Sequence, residues 1–319
     1  MPAKNPWPVP PATRTRARVL IVLATLAAVA CGRANDASPR AAAPSPSASD
    51  WRADDERYRR DLEAKLTSDT GWLTIAGLAF LTKPETTVGS DRSNDVVLPG
   101  ATPPHLGTFV LSSDGQVSVR LQPHLDVTLL DGKPFTGGAI KSDGEGPPDR
   151  LVLGDVQVWV HESGARRALR IRDKNNPLRQ SFTGMKWYPI DPAYRVEATF
   201  VPYERPKEYR IPNLLGDIDR MSAPGQVTFT LRGNAYRMTP YVDNDALWVV
   251  FRDLTSGDTT YPAARFLYAP MPKDGKVVLD FNRAENPPCA FNSFATCPLP
   301  PPENRLNVRI EAGEQAQPH

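Results

Sequence analysis

The chain reads as all-β: one β-sandwich followed by a second sandwich or barrel-like unit, with one short helix ahead of both. Three observations carry that reading. Proline, 34 of 319 residues, recurs along the chain and limits helix interiors, because it lacks an amide donor and clashes with the preceding turn. Apolar residues recur at every second position in short runs, as a strand with one buried face requires. Asp-Gly, Gly-Gly and Gly-Asn pairs separate many of these runs and suit tight turns. Short strands at such close spacing predict a sandwich or barrel.

Taken in order, Lys4, Arg14, Arg16 and Arg18 precede the apolar run Val19 to Ala30, the make-up of an export signal over residues 1–31. A bilayer span needs about 20 apolar residues, so the run is too short and cleavage is expected. Ala28-Val29-Ala30-Cys31 resembles a bacterial lipobox, which implies a lipid-modified Cys31 and a membrane anchor. The same Ala-x-Ala suits ordinary signal peptidase, which would release a secreted protein. Gly32 after the cysteine, by resemblance to Gram-negative lipoproteins, implies an outer-membrane lipoprotein facing the periplasm. Residues 32–49 are rich in Ala, Ser and Pro and predict a flexible tether. A helix is expected over 50–70, capped by Ser49 or Asp50, with Trp51, Tyr58, Leu62 and Leu66 at nearly helical spacing.

A first β unit is expected over 71–175, with strands at Leu73–Leu81, Gly107–Leu111, Val117–Leu121, Val127–Leu130, Leu151–Leu153, Val156–His161 and Ala168–Arg172. Val88-Gly89-Ser90-Asp91-Arg92-Ser93-Asn94-Asp95-Val96-Val97-Leu98, with Asp131-Gly132-Lys133-Pro134 and Leu153-Gly154-Asp155-Val156 further on, resembles a forkhead-associated domain. Ser90 stands where that family places the arginine that holds phosphothreonine, and its Ser-x-x-His element is replaced by Pro103-Pro104-His105-Leu106-Gly107. The resemblance therefore implies the fold without phosphopeptide binding.

A second β unit is expected over 180–313, with strands near Tyr194–Phe200, Val227–Leu231, Tyr236–Pro240, Ala246–Phe251, Arg265–Tyr268, Val277–Phe281 and Leu306–Ile310. Its last part, Leu279-Asp280-Phe281-Asn282-Arg283 through Asn286-Pro287-Pro288-Cys289 to Cys297-Pro298-Leu299-Pro300-Pro301-Pro302-Glu303-Asn304-Arg305-Leu306, is too polar to be core. It resembles the signature of the bacterial and archaeal domain-of-unknown-function family 1684, and the likeness extends from about Arg57 to Glu314. No activity follows from that resemblance.

In an oxidising compartment Cys289 and Cys297 form an even pair, and a disulfide is the first reading. Closing so short a loop contributes about 2–3 kcal/mol in the chain-entropy model. Inert thiols, or a nucleophile with a nearby base, are the alternatives.

Several function classes are excluded. Net charge is +2 and the basic residues are dispersed, so nucleic acid is not an expected partner. No phosphate loop, His-Glu-x-x-His, Cys-x-x-Cys or Gly-x-Ser-x-Gly occurs, so no cofactor or metal is expected. His105, His124 and His161 are the histidines within the body, and His161 is expected to end its strand.

The polar residues of the second half remain: Arg265, Asp280, Asn282, Arg283, Glu303, Asn304 and Arg305. Arg265 sits among apolar neighbours and needs a carboxylate such as Asp253 or Asp280, since a bare buried guanidinium is costly. These residues either clasp the Pro-rich loop onto the sheet or line a pocket for an anionic or polyhydroxylated ligand, with Trp187 and Tyr188 as an aromatic wall. The functional expectation is a non-enzymatic envelope protein that binds a small ligand or an envelope protein partner. A hydrolase using Asp280 and Glu303, or a structural scaffold, is the alternative.

Overall fold

The computed structural model describes residues 48–317. The expected export signal, Cys31, most of the tether and His319 lie outside the described residues. The described residues form one compact unit, and the architecture is all-β with one long helix at its start.

Helix α1 covers Ala48–Thr67. Its end is set at Gly71, where a Cβ would sit 2.0 Å from the Leu66 carbonyl oxygen, so the chain folds back on the helix at a residue without a side chain. A 3₁₀ turn, Trp72–Thr74, then leads into the first strands.

In the first half β1 is Ile75–Phe80, β2 Glu85–Gly89, β3 Val96–Val97, β4 Gly107–Leu111, β5 Val117–Leu121, β6 Thr128–Leu129, β7 Gly138–Ile140, β8 Leu151–Leu153, β9 Val156–Ser163 and β10 Arg166–Asp173. They form two five-stranded sheets, ordered β1-β10-β9-β8-β6 and β3-β2-β4-β5-β7. Between them lies a core that includes Val88, Leu106, Phe109, Leu151, Val158 and Leu169.

The alternation along β9 and β10 decides what lies outside that core. Val156, Val158, Val160, Leu169 and Ile171 face inward, so period 2 sends Gln157, Trp159, His161, Arg170 and Arg172 to the other face. The antiparallel register sets Trp159 beside Arg170 and Gln157 beside Arg172. A polar sheet face is ordinarily solvated, yet these five side chains are buried. Something covers them, and that cover forms the site.

A short helix, α2 (Pro177–Ser181), leads to the second half. There β11 is Arg195–Pro212, β12 Ile218–Leu231, β13 Asn234–Met238, β14 Tyr241–Asp243, β15 Ala246–Phe251, β16 Arg265–Pro270 and β17 Lys276–Asp280. The sheets are β13-β12-β11-β17 and β14-β15-β16. Leu247, Val249, Phe251 and Leu267 join a second core with Val227, Phe229, Leu279 and Phe281. Their alternates Trp248, Val250, Phe266 and Tyr268 face a third cluster with Trp72, Ala295 and Cys297.

Two expectations need correcting. β11 and β12 are a ribbon far longer than the pattern predicts, with a register shift between Pro202 and Lys207. Three prolines in β11 mask it in sequence, and they are tolerated where the strand bulges or lacks a partner. Leu306–Ile310 is not a strand. Arg305 makes one parallel bridge to Arg252, after which the segment lies along residues 252–254 through two backbone bonds, Leu306 to Arg252 and Leu254 to Val308.

Candidate functional site

The turn of the long ribbon ties the halves together. Asp217 accepts from Ser163 Oγ at 2.6 Å and from Arg166 Nε at 2.8 Å, and the Leu214 amide donates to the Cys297 carbonyl. The loop from Glu285 to Pro298 is thereby held over the outer faces of β9–β10 and β15–β16. Asn292 Nδ2 fastens it further, donating to the Trp72 carbonyl at 3.0 Å.

Beneath this loop is a cavity of about 460 Å³. Helix α1 supplies Leu62, Lys65 and Leu66, the turn after it Trp72, strand β10 Arg170, the β15–β16 pair Trp248, Phe266 and Tyr268, and the loop Glu285, Asn286, Phe291, Thr296 and Cys297. Phe266 meets Trp248 edge-on at 4.9 Å and Tyr268 stacks on it at 6.2 Å, which makes one wall flat and aromatic.

Several polar groups of the lining are buried without a hydrogen-bond partner: Arg170 Nε and Nη2, Trp248 Nε1 and Asn286 Oδ1. Most buried polar groups in proteins are paired, so four such atoms around one cavity set it apart. Burial pushes the Glu285 carboxyl up to about 7, against the donated hydrogen bond of Tyr58 Oη and the charge of Lys65. Desolvation likewise lowers Arg170 to about 10, opposed by Asp143 and Cys297, and leaves it charged at neutral pH.

At the edge of the cavity three groups line up. Asp143 Oδ2 lies 2.8 Å from His161 Nδ1, and His161 Nε2 lies 3.3 Å from Thr296 Oγ1. The Glu162 amide, at 2.9 Å, and Trp159 Nε1, at 3.3 Å, both donate to Asp143. A carboxylate on Nδ1 favours the proton there and leaves Nε2 to accept, so the imidazole is oriented as a base toward the Thr296 hydroxyl. His161 therefore does not end its strand as expected: β9 runs on to Ser163 and the imidazole is buried.

The seven residues singled out from sequence lie elsewhere, and none lines this cavity. Arg265 is fully buried. Its Nη1 donates to Asp253 at 2.7 Å and to the Ile310 carbonyl at 3.0 Å, and Nη2 donates to the Ala312 carbonyl. Asn304 accepts from the Thr239 amide and donates to the carbonyls of Thr239 and Val250. Asn282 exchanges bonds with the Asp191 backbone and donates to Asp280. Asp280 also pairs with Arg195 at 3.3 Å. Arg283 pairs with Asp55 of α1 at 2.6 Å. Arg305 is exposed and makes long bonds to the Pro300 carbonyl, while the charge of Glu303 helps burial to raise the Tyr241 phenol. Trp187 lies under Arg59, and Tyr188 bonds Thr259.

The expected disulfide is corrected: Cys289 and Cys297 are free thiols. Cys289 turns in a short 3₁₀ segment with its amide, at 3.3 Å, donating to Cys297 Sγ, so that sulfur is engaged as an acceptor instead of a bonding partner. The neighbouring thiol and then burial push Cys297 up, whereas Cys289 is lowered by its hydrogen bond from Cys297.

Sequence reasoning passes over Trp72, Arg170, Trp248, Tyr268 and Glu285. The alternation along β10, from Arg166 to Asp173, does hold a signal: Arg170 and Arg172 must share the face opposite Leu169 and Ile171. That this face is covered rests on contacts between distant parts of the chain, such as His161 with Thr296, 135 positions apart.

Residues 180–315 match the family described as "Protein of unknown function (DUF1684)", a shorter span than the one expected from Arg57 onward. An uncharacterized protein of Haloarcula marismortui, solved by solution NMR, is 33% identical over 43% of this chain and 78% of that chain, with a TM-score of 0.37. No curated protein matches the chain. Over residues 180–315, the chain belongs to the DUF1684 family.

Proposed function

We propose that this is an exported envelope lipoprotein, anchored through Cys31, that binds a small ligand in the cavity between α1, β10, β15–β16 and the C-terminal loop. The single observation that carries the binding reading is the cavity of about 460 Å³, with its flat aromatic wall and its unpaired buried groups on Arg170, Trp248 and Asn286. Ligand sites are concavities of this order, mostly apolar, with a few polar groups to set orientation. The ligand has a planar or apolar body to lie against Trp248 and Tyr268. The anchor reading rests on the basic start, the short apolar run and Ala28-Val29-Ala30-Cys31. The first β unit is a forkhead-associated-like sandwich used as scaffold, since Ser90 bonds the Thr102 carbonyl and brings no cation.

A panel of small aromatic and polyhydroxylated compounds tests the binding reading by thermal shift and tryptophan fluorescence. A compound that stabilises the protein but not Trp248→Ala or Tyr268→Ala supports it. Stabilisation that survives both substitutions moves the site elsewhere. Labelling of the wild type, but not of Cys31→Ser, by a clickable palmitate analogue in a Gram-negative host tests the anchor.

A second reading is hydrolysis, favoured by the line of Asp143, His161 and Thr296 at the cavity edge. Turnover of an ester substrate lost in both His161→Gln and Thr296→Val, with the fold intact, would favour it over binding alone.

A further inference from the structure

Beside the main cavity is a smaller one of about 230 Å³, with Trp72, Asp143, Arg150, Trp159, Arg170 and Arg172 in its walls. Arg170, Trp72 and Thr70 border both cavities. We propose that this second compartment is an oxyanion subsite, in which Arg150, Arg170 and Arg172 hold the phosphate, sulfate or carboxylate end of the ligand whose body fills the larger cavity. The proposal deepens the binding reading and rests on it.

Among the described residues none of the three guanidiniums forms an ion pair, and the carboxylate in the compartment, Asp143, is paired with His161. Asp143 does face Arg150 and Arg170, so one negative charge is set against three positive ones. The arginines are close enough that Arg150 and Arg170 repel Arg172, which, after desolvation, lowers it to about 10. Arg170 and Arg172 are each 6% exposed, and a cluster of like charges removed from water is unfavourable unless an anion joins it.

Arg172 is already held, by the Thr70 carbonyl at 2.7 Å, Thr74 Oγ1 at 3.0 Å and Gln157 Oε1 at 3.4 Å. It acts as a fixed charge at the back. Arg170 is not held: Nε and Nη2 lack partners, and its guanidinium lies 5.5 Å from the Trp72 ring. Arg150, half-buried on the rim, lies 4.8 Å from the ring of Trp159, which also carries Arg172 at 5.3 Å. Tryptophan faces stabilise guanidiniums without consuming their N–H groups, which keeps the planar forks of Arg150 and Arg170 open to an oxyanion. Arg265, by contrast, spends both Nη groups on Asp253 and the carbonyls of Ile310 and Ala312 and leaves only Nε without a partner.

The experiment uses the full-length chain and three probes: inorganic phosphate, with sulfate and acetate as parallel arms; neutral 2-naphthol; and 2-naphthyl phosphate. Saturable thermal stabilisation and tryptophan quenching by at least one oxyanion are expected. Arg150→Gln should weaken that binding at least tenfold and leave 2-naphthol unchanged. Naphthyl phosphate should bind at least tenfold more tightly than either part, because the two compartments adjoin. Arg170→Met should abolish the oxyanion effect and raise the melting temperature of the ligand-free protein, since it removes an uncompensated charge. No saturable response to any oxyanion, an Arg150→Gln response equal to wild type, or a fall in ligand-free melting temperature in Arg170→Met would each overturn the subsite. Failure of 2-naphthol to bind would instead overturn the cavity reading, and with it the two-compartment ligand.

Discussion

At the scale of single residues, burial with a partner and burial without one have opposite consequences. Arg265 and Asp253 are both fully removed from water and bound to each other at 2.7 Å. Replacing Arg265 leaves the buried Asp253 charge without its cation, though Thr255 still donates to it, so Arg265→Ala should cost about 3–5 kcal/mol, read by urea denaturation. A loss below about 1 kcal/mol would mean the clasp carries little. Glu314 is the contrary case: wholly buried, it accepts from the Asn286 amide and Gln317, and no cation pairs with it among the described residues. Desolvation pushes its carboxyl up to about 8, from 4.5. The folded state then keeps a proton that the unfolded chain releases, so its contribution is complete below about pH 4.5 and is lost as pH rises toward 8. Glu314→Gln should match wild type near pH 5 and be more stable by roughly 2–4 kcal/mol above pH 8. Parallel stability curves across that range would refute the assignment.

At the scale of elements, α1 is held by polar bonds that its sequence pattern does not announce. Trp51, Tyr58, Leu62 and Leu66 suggest an apolar stripe, yet the helix is also anchored by Asp55 to Arg283, by Tyr58 to Glu285 and by Arg59 to the carbonyls of Tyr188 and Asn282. Tyr58→Phe removes a donor that holds Glu285 down, so the Glu285 carboxyl should titrate above its present value of about 7. The helix should also be destabilised by about 1–3 kcal/mol, the cost of an unsatisfied buried acceptor. A carboxyl NMR titration of Glu285 unchanged from wild type would contradict this. The strands show how far pattern reading reaches. Gly107–Leu111, Val117–Leu121, Leu151–Leu153 and Ala246–Phe251 were legible to the residue, because period-2 alternation between turn signals leaves few other solutions. The prolines of β11 concealed a strand that tolerates them, and the Arg265 clasp was legible because an arginine inside an apolar run demands a carboxylate. The cavity was not, because Glu285, Arg170 and Trp248 belong to three separate elements and each looks ordinary within its own.

At the scale of the whole molecule, the family match begins at residue 180 but the cavity does not end there. Leu62, Lys65, Trp72 and Arg170 line it from the other side of that boundary, and the smaller compartment takes Arg150, Trp159 and Arg172 from the first half. The second half alone would bare Trp248, Phe266 and Tyr268 together with the underside of the Glu285 to Pro298 loop. An exposed apolar face of that kind drives association. It would also lose the anchors by which Asn292 grips the Trp72 carbonyl and Asp217 grips Ser163 and Arg166. A fragment of residues 180–317 should therefore show red-shifted tryptophan emission, self-associate on sizing and fail to bind 2-naphthol, and co-expression with residues 48–179 should restore binding. A monomeric fragment with unchanged affinity would show that the family segment is a complete site in itself, with the first half serving only as a cover.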